Sequence, residues 1–347
     1  MDPSVYIPAY LERAYVASHP ELTDAARELV HNDISANPHK YAQSEHAQAL
    51  LSYAGVHRHL LDELHRIEDM GSDEEFEQTR NRLFDDMRDE LLKIVRIDAL
   101  AVDAQLLAII LADTPVDACL GDLMKLETST ADYLQQSVPG FDMEAPHYWA
   151  NNVLADGVTA ADLTVSEPAL IGWLHTLEAI SQLCMASARY RAAANYARRV
   201  LKAEGYPTRA AGTVLLALAR LEDQDGFFAL AHQLEEQMGA DALENSPWYL
   251  LARTILLFKT NKMRPATRAL REFANRCEGG AFFLLNPMYQ TPYLPCRPEP
   301  RDPWNLSHQA VWEADGIISD TPDFAPWANA CEDVSQLAQE FARRYGF

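Results

Sequence analysis

Apolar and small residues recur along this chain at the i, i+3, i+4, i+7 spacing of a helix face. They rarely alternate singly with polar residues over the length of a strand. From Ala42 to Met70 the apolar positions are Ala47, Leu50, Leu51, Ala54, Val56, Leu60, Leu61 and Leu64. Gly71 stops that pattern, and Ser72 to Glu75 has the spacing of a capping box. The next stripe is Phe76, Leu83, Met87, Leu91, Ile94 and Val95, so 42–96 predicts an antiparallel helical hairpin. Two short helices precede it in 1–40, with a break at Asn37-Pro38. A second pair, 99–112 and 115–136, is joined at Thr114-Pro115. From Val138 to Thr164 the pattern lapses: Pro139-Gly140, Pro146, Asn151-Asn152 and Gly157 predict an irregular connector, with Phe141, Tyr148 and Trp149 tucked onto the helices.

A three-fold recurrence follows. Leu177-x2-Ile180-Ser181-x2-Cys184 is succeeded by Ala193-x3-Ala197-x2-Val200. Leu215-x2-Leu218-Ala219 is succeeded by Ala231, and Trp248-x2-Leu251-Ala252-x2-Ile255 by Ala266-x3-Leu270-x2-Phe273. The small positions Ser181, Ala219 and Ala252 lie 38 and then 33 residues apart; Ala193, Ala231 and Ala266 lie 38 and then 35 apart. A small residue on each of two helices lets them cross closely, so each unit reads as a helical hairpin. Ser166-Glu167-Pro168 starts the first unit, Gly205-Tyr206-Pro207 ends it, and Ser246-Pro247 opens the third. Stacked units of this period act by presenting a surface, not by assembling a reaction centre.

After Cys277 the character changes. Glu278-Gly279-Gly280 reads as the end of a helix, with the glycines as its C-cap. Six prolines between Asn286 and Asn305 (Pro287, Pro292, Pro295, Pro298, Pro300, Pro303) exclude helix and central strand. A Pro-rich stretch of this kind can serve as a ligand for another protein's aromatic groove. Met288, Tyr289, Tyr293, Leu294 and Trp304 need burial, which favours an ordered strap lying on the chain's own helices. Helices at about 306–319 and 327–345 would cap the array. The expected fold is all-α, a right-handed superhelix of stacked hairpins. Its parts are an N-terminal helical region 1–137, a connector 138–165, repeats 166–277, the strap 278–305 and capping helices 306–347.

Composition agrees with a folded chain: 48% of the 347 residues are hydrophobic and only 14 are glycine. The net charge of −22 argues against double-stranded nucleic acid and anionic membranes as partners. It fits a soluble cytoplasmic protein, or one with a basic partner. The five cysteines (Cys119, Cys184, Cys277, Cys296, Cys331) contain no CxxC pair and fit a reducing compartment, with Cys119 and Cys184 on apolar faces as core residues. The N-terminus has no apolar signal core, and the longest apolar run, Leu106 to Ala112, is far short of a membrane span.

Candidate chemistry is sparse. His57, His59 and His65 near Glu63 lack the one-face spacing of metal ligands and read as an exposed helix face. Asp85, Asp86, Asp89 and Glu90 read as a solvated acidic face. No GxxxxGK[ST], GxGxxG or GxSxG motif occurs, so no enzyme activity, cofactor or metal is expected.

Residues 177–273 resemble the tetratricopeptide-repeat family on the residues quoted above. They depart from its pattern at Glu222, where an apolar residue is usual, and at Ser181, where glycine or alanine is. The order of parts also resembles bacterial relatives of the suppressor-of-tumorigenicity-seven family: the Tyr190-to-Leu201 helix, then Ser246-Pro247-Trp248-Tyr249, then Asn286-Pro287. The first resemblance implies a concave peptide-binding face and no cofactor. First-helix residues would line that face: Glu178, Gln182 and Met185; Leu216, Arg220 and Asp223; Tyr249, Arg253 and Leu256. Arg220 and Arg253 each follow the small alanine directly, and stacked they would make a fork for a carboxylate or acidic peptide. The competing expectation is that each pairs with an acid of its own chain, Arg220 with Glu222 or the surroundings of Asp223. The function expected is a non-enzymatic scaffold that binds another protein or peptide. The second expectation is a helical regulator holding a small ligand beneath the strap.

Overall fold

The computed structural model describes residues 2–67, 72–138, 141–143, 167–203, 206, 208–290 and 302–347. Among the described residues every regular element is a helix and none is a strand. The chain divides into two compact units. One comprises Met1–Ala179, Lys202–Pro207 and Pro295–Pro298; the other comprises Ile180–Leu201, Thr208–Leu294 and Glu299–Phe347.

The first unit contains α1 (Pro3–Ser18), α2 (Asp24–Ala36), α3 (Glu45–Ile67), α4 (Asp73–Ile97), α5 (Val102–Ile110), α6 (Val116–Ser137) and most of α7 (Pro168–Ala186). The Ser72 cap expected from the sequence forms, its Oγ accepting from Glu75 N at 3.4 Å, and Asp2 and Thr23 also cap α1 and α2. Helix α3 pairs with α4, α4 with α5 and α5 with α6. Apolar stripes meet in a core of Leu11, Leu60, Leu91, Leu123, Leu134 and Leu174. At Gly172 a Cβ would lie 2.6 Å from Val102 Cβ, so only glycine lets α7 approach the start of α5 this closely. The histidine expectation needs one correction. His59 and His65 are exposed, but His57 is buried beside Tyr53, because it shares the inward face of α3 with Leu50 and Leu60.

The second unit takes in the end of α7, then α8 (Tyr190–Leu201), α9 (Ala210–Arg220), α10 (Gln224–Met238), α11 (Ala240–Glu244), α12 (Pro247–Lys259), α13 (Met263–Arg276), α14 (Gly280–Leu285), α15 (Asn305–Ser319), α16 (Phe324–Asn329) and α17 (Glu332–Tyr345). Helix α8 packs on α9, α9 on α12 and α12 on α13. The small residues sit at these crossings: Ala193, Ala219, Ala252 and Ala266 are wholly buried. Ser181 is buried too, and its hydroxyl donates to Ala193 O at 2.9 Å. A serine fits there because it links one helix to the next.

Three hairpin turns share one backbone form. Ala188, Glu222 and Asn261 all adopt left-handed φ, at 59°, 59° and 57°. After each, the next amide reaches back five residues: Arg189 N to Cys184 O, Asp223 N to Leu218 O and Lys262 N to Leu257 O, at 2.8–3.1 Å. This is the Schellman closure of a helix C-terminus. Glu222 departs from the apolar pattern because it is the turn residue after α9, not a packing position.

The region after α13 differs from the sequence reading in detail. The glycines do not cap α13, whose C-cap is Cys277: Gly279, left-handed at φ 74°, is the N-cap of the short helix α14, and Gly280 opens it. Pro287–Tyr289 forms a 3-10 turn. The strap residues 291–301, and most of the 138–165 connector, lie outside the described residues. The last expected helix, 327–345, is split into α16 and α17 at Ala330-Cys331. No helix among the described residues is long and apolar enough to cross a membrane.

Candidate functional site

Arg220 ends α9, and its guanidinium lies over the Tyr190 ring at 5.3 Å. Its Nη2 contacts Asp320 Oδ2 at 3.4 Å, and Tyr190 donates its hydroxyl to the same oxygen at 3.2 Å. Asp320 is the C-cap of α15. Arg253 sits at the middle of α12, the helix packed on α9, and donates from Nη1 to Glu272 Oε2 of α13 at 3.0 Å. The two arginines therefore hold equivalent sequence places but take carboxylates from different helices. Each side chain is about a third exposed, 31% and 34%, and each carboxylate is more so, 46% for Asp320 and 44% for Glu272. Glu222 is taken instead by Lys259 at 3.3 Å, and Asp223 accepts from Gly226 N at 2.9 Å as the cap of α10.

The other expected groove residues are scattered. Tyr249 is half-buried and stacks on Phe227 of α10, with centroids 6.0 Å apart. Gln182 is partly exposed, whereas Met185, Leu216 and Leu256 are buried as core. Glu178 falls in the first unit, where its carboxylate and the burial of Tyr206 together hold the Tyr206 phenol protonated, burial being the larger cause.

Two buried polar clusters escape the sequence reading. In the second unit, α15 lies against α9 and α12 with Ala310, Val311, Ala314 and Ile317 buried. Glu313 lies on that same apolar face. Its Oε2 accepts from Trp248 Nε1 at 2.9 Å and from Thr213 Oγ1 at 3.4 Å; its Oε1 accepts from Gln309 Nε2 at 3.3 Å. The Arg209 guanidinium donates to Gln309 Oε1 and lies over the Trp248 ring at 5.7 Å. Burial pushes the Glu313 carboxyl up to about 7, against the opposing pull of these donors and the Arg209 charge.

In the first unit, Asp103 Oδ2 accepts from the Tyr6 hydroxyl at 2.5 Å and Oδ1 from His175 Nδ1 at 2.9 Å. Burial alone would raise the Asp103 carboxyl, but the His175 charge and the two hydrogen bonds outweigh it and hold it below its ordinary 3.8. The signal for both clusters was an acid set in an apolar stripe: Asp103 between Val102 and Ala104, Glu313 between Val311 and Ala314.

A cleft of about 340 Å³ opens in the second unit, lined by Arg276, Glu278, Phe282, Phe341 and Arg344 among others. Its cations are already paired, Arg276 with Glu244 at 2.8 Å and Arg344 with Glu278 at 3.0 Å. Among the described residues no group of three His, Cys, Asp or Glu side chains is placed to hold a metal ion. The chain matches no protein-family model, no curated protein and no solved structure.

Proposed function

We propose that this chain is a non-enzymatic scaffold whose helical hairpins bind a carboxylate-bearing segment of another polypeptide at Arg220 and Arg253. One observation carries the reading: both arginines stay a third exposed while each leans on a carboxylate that is itself nearly half exposed. Ion pairs of that exposure contribute about 0–1 kcal/mol, so a partner's carboxylate can replace the internal one at little cost. The close helix crossings at Ala219 and Ala252 fix the backbone one residue before each guanidinium, which pre-positions the two donors. No cofactor, membrane or nucleic acid enters this reading. The test is capture of a partner by the intact chain compared with Arg220→Glu, Arg253→Glu and the double variant, with melting curves showing that each is folded.

A small-ligand regulator is the second reading, and the cleft lined by Phe282 and Phe341 is the site that favours it. A ligand there stabilises the fold by mass action, so thermal melting against a small-molecule panel separates the two.

A further inference from the structure

Asp320 stands where a partner's carboxylate would stand. It reaches Arg220 because α15 carries it there, and α15 is seated on α9 and α12. The buried polar centre of that seat is the Glu313 carboxyl, which gathers Trp248 of α12, Thr213 of α9 and Gln309 of α15 around it, beside the Arg209 contact to Gln309. Around it on the buried face of α15 lie the apolar Ala310, Val311, Ala314 and Ile317, with Ser307, His308 and Gln309 buried toward the start of the helix.

We infer that α15 is a built-in competitor for the partner at Arg220, and that the protonation state of Glu313 sets how tightly it is held. The inference rests on the scaffold reading above and adds its regulation. The protonated carboxyl sits in the apolar seat without a charge to desolvate. The carboxylate must stay buried with one guanidinium in range, which disfavours the seated helix. Burial places this change near neutrality.

Among the described residues, the titratable groups on the helices packed against α15 are these. Arg209 and Arg220 stand at the two ends of α9, while Tyr249, Arg253 and Lys259 are the titratable groups of α12. Helix α14, which also packs on α15, carries none, and α15 itself adds His308, Asp315 and Asp320. Of these, Arg209 acts directly on the Glu313 charge, favouring the carboxylate.

The experiment labels the full chain with p-hydroxyphenylglyoxal, an arginine-specific reagent, and reads Arg220 and Arg253 separately by peptide mass spectrometry. Arg253 is the internal reference, because its carboxylate Glu272 belongs to α13 and not to α15. The expected result is an Arg220-to-Arg253 labelling ratio that rises roughly threefold or more from about pH 6 to about pH 8.5. In Glu313→Gln the ratio stays low at both pH values; in Asp320→Asn it is high at both. A wild-type ratio that does not change with pH overturns the inference, as does an equal rise in Glu313→Gln or a wild-type ratio in Asp320→Asn. If Glu313→Gln does not fold, the wild-type and Asp320→Asn arms decide. The labelling needs no partner, so its failure leaves the capture test of the scaffold reading untouched, and the converse also holds.

Discussion

Trp248 donates its indole N–H to Glu313 Oε2 across 2.9 Å, inside the apolar seat where α15 meets α12. A buried carboxyl this well supplied with donors still titrates at about 7, because desolvation outweighs them. The folded state therefore holds the proton more tightly than the unfolded chain, whose ordinary value is 4.5. Stability from this group is complete below about pH 4.5 and is lost as pH rises through about 7, for a total on the order of 3 kcal/mol. Thermal melting from about pH 5 to pH 8.5 should show that decline in the wild type. Glu313→Gln should flatten it and melt above the wild type at the alkaline end. A wild-type melting point that rises over this range would contradict the assignment.

Gly212 and Trp248 form a second tight pair. A Cβ at position 212 would fall 2.3 Å from the Trp248 Cγ, inside any allowed contact. Gly212→Ala should therefore displace the indole that fastens Glu313 and destabilise by about 1–3 kcal/mol. Chemical denaturation checks this, and the same substitution at the open, exposed Gly55 inside α3 should instead stabilise by up to about 1 kcal/mol.

Ala188 occupies the left-handed turn between α7 and α8 and is exposed. Glycine pays no steric penalty there, whereas an alanine costs roughly 1 kcal/mol. Ala188→Gly should stabilise by up to about 1 kcal/mol after its larger unfolded-state entropy is set against the relief. An unchanged or lower denaturation midpoint would count against the shared turn geometry.

Tyr6 holds Asp103 from one side and His175 from the other, all within the first unit. Tyr6→Phe removes one donor to a buried carboxylate and should cost about 1–3 kcal/mol. Asp103 lies below its ordinary 3.8, so its contribution is present above that value and lost as pH falls through the lower folded value. Losing the Tyr6 donor brings the folded value back up, and acid unfolding of the variant should begin at a higher pH. Acid titration followed by circular dichroism measures the shift.

Much of the fold was legible in the sequence because it is written in local chemistry. Apolar spacing of 3.6 residues and capping serines place α3, α4 and α12 within a few residues, since those signals act over single helical turns. The hairpin crossings follow from small residues at Ala193, Ala219, Ala252 and Ala266. The arginines' partners were not legible in the same way. Asp320 is 100 residues from Arg220, and no local pattern brings the two together. Only the packing of α15 on α9 does so. The same holds for Glu313, 65 residues beyond Trp248. An acid on an apolar stripe signals that a buried partner exists without naming it. His57 belongs to the inward register of Leu50 and Leu60, which the neighbouring exposed His59 and His65 mask in the sequence.

In the scaffold reading Arg220 and Arg253 receive a partner's carboxylates. The most direct test of that reading is quantitative affinity capture with the intact chain and with Arg220→Glu/Arg253→Glu, the two matched in melting temperature. At least one polypeptide should be recovered roughly tenfold less, or lower still, with the double variant, as expected when two charge-assisted contacts are reversed. Raised salt should also weaken the wild-type capture. An identical set of partners recovered equally by both proteins would contradict the reading.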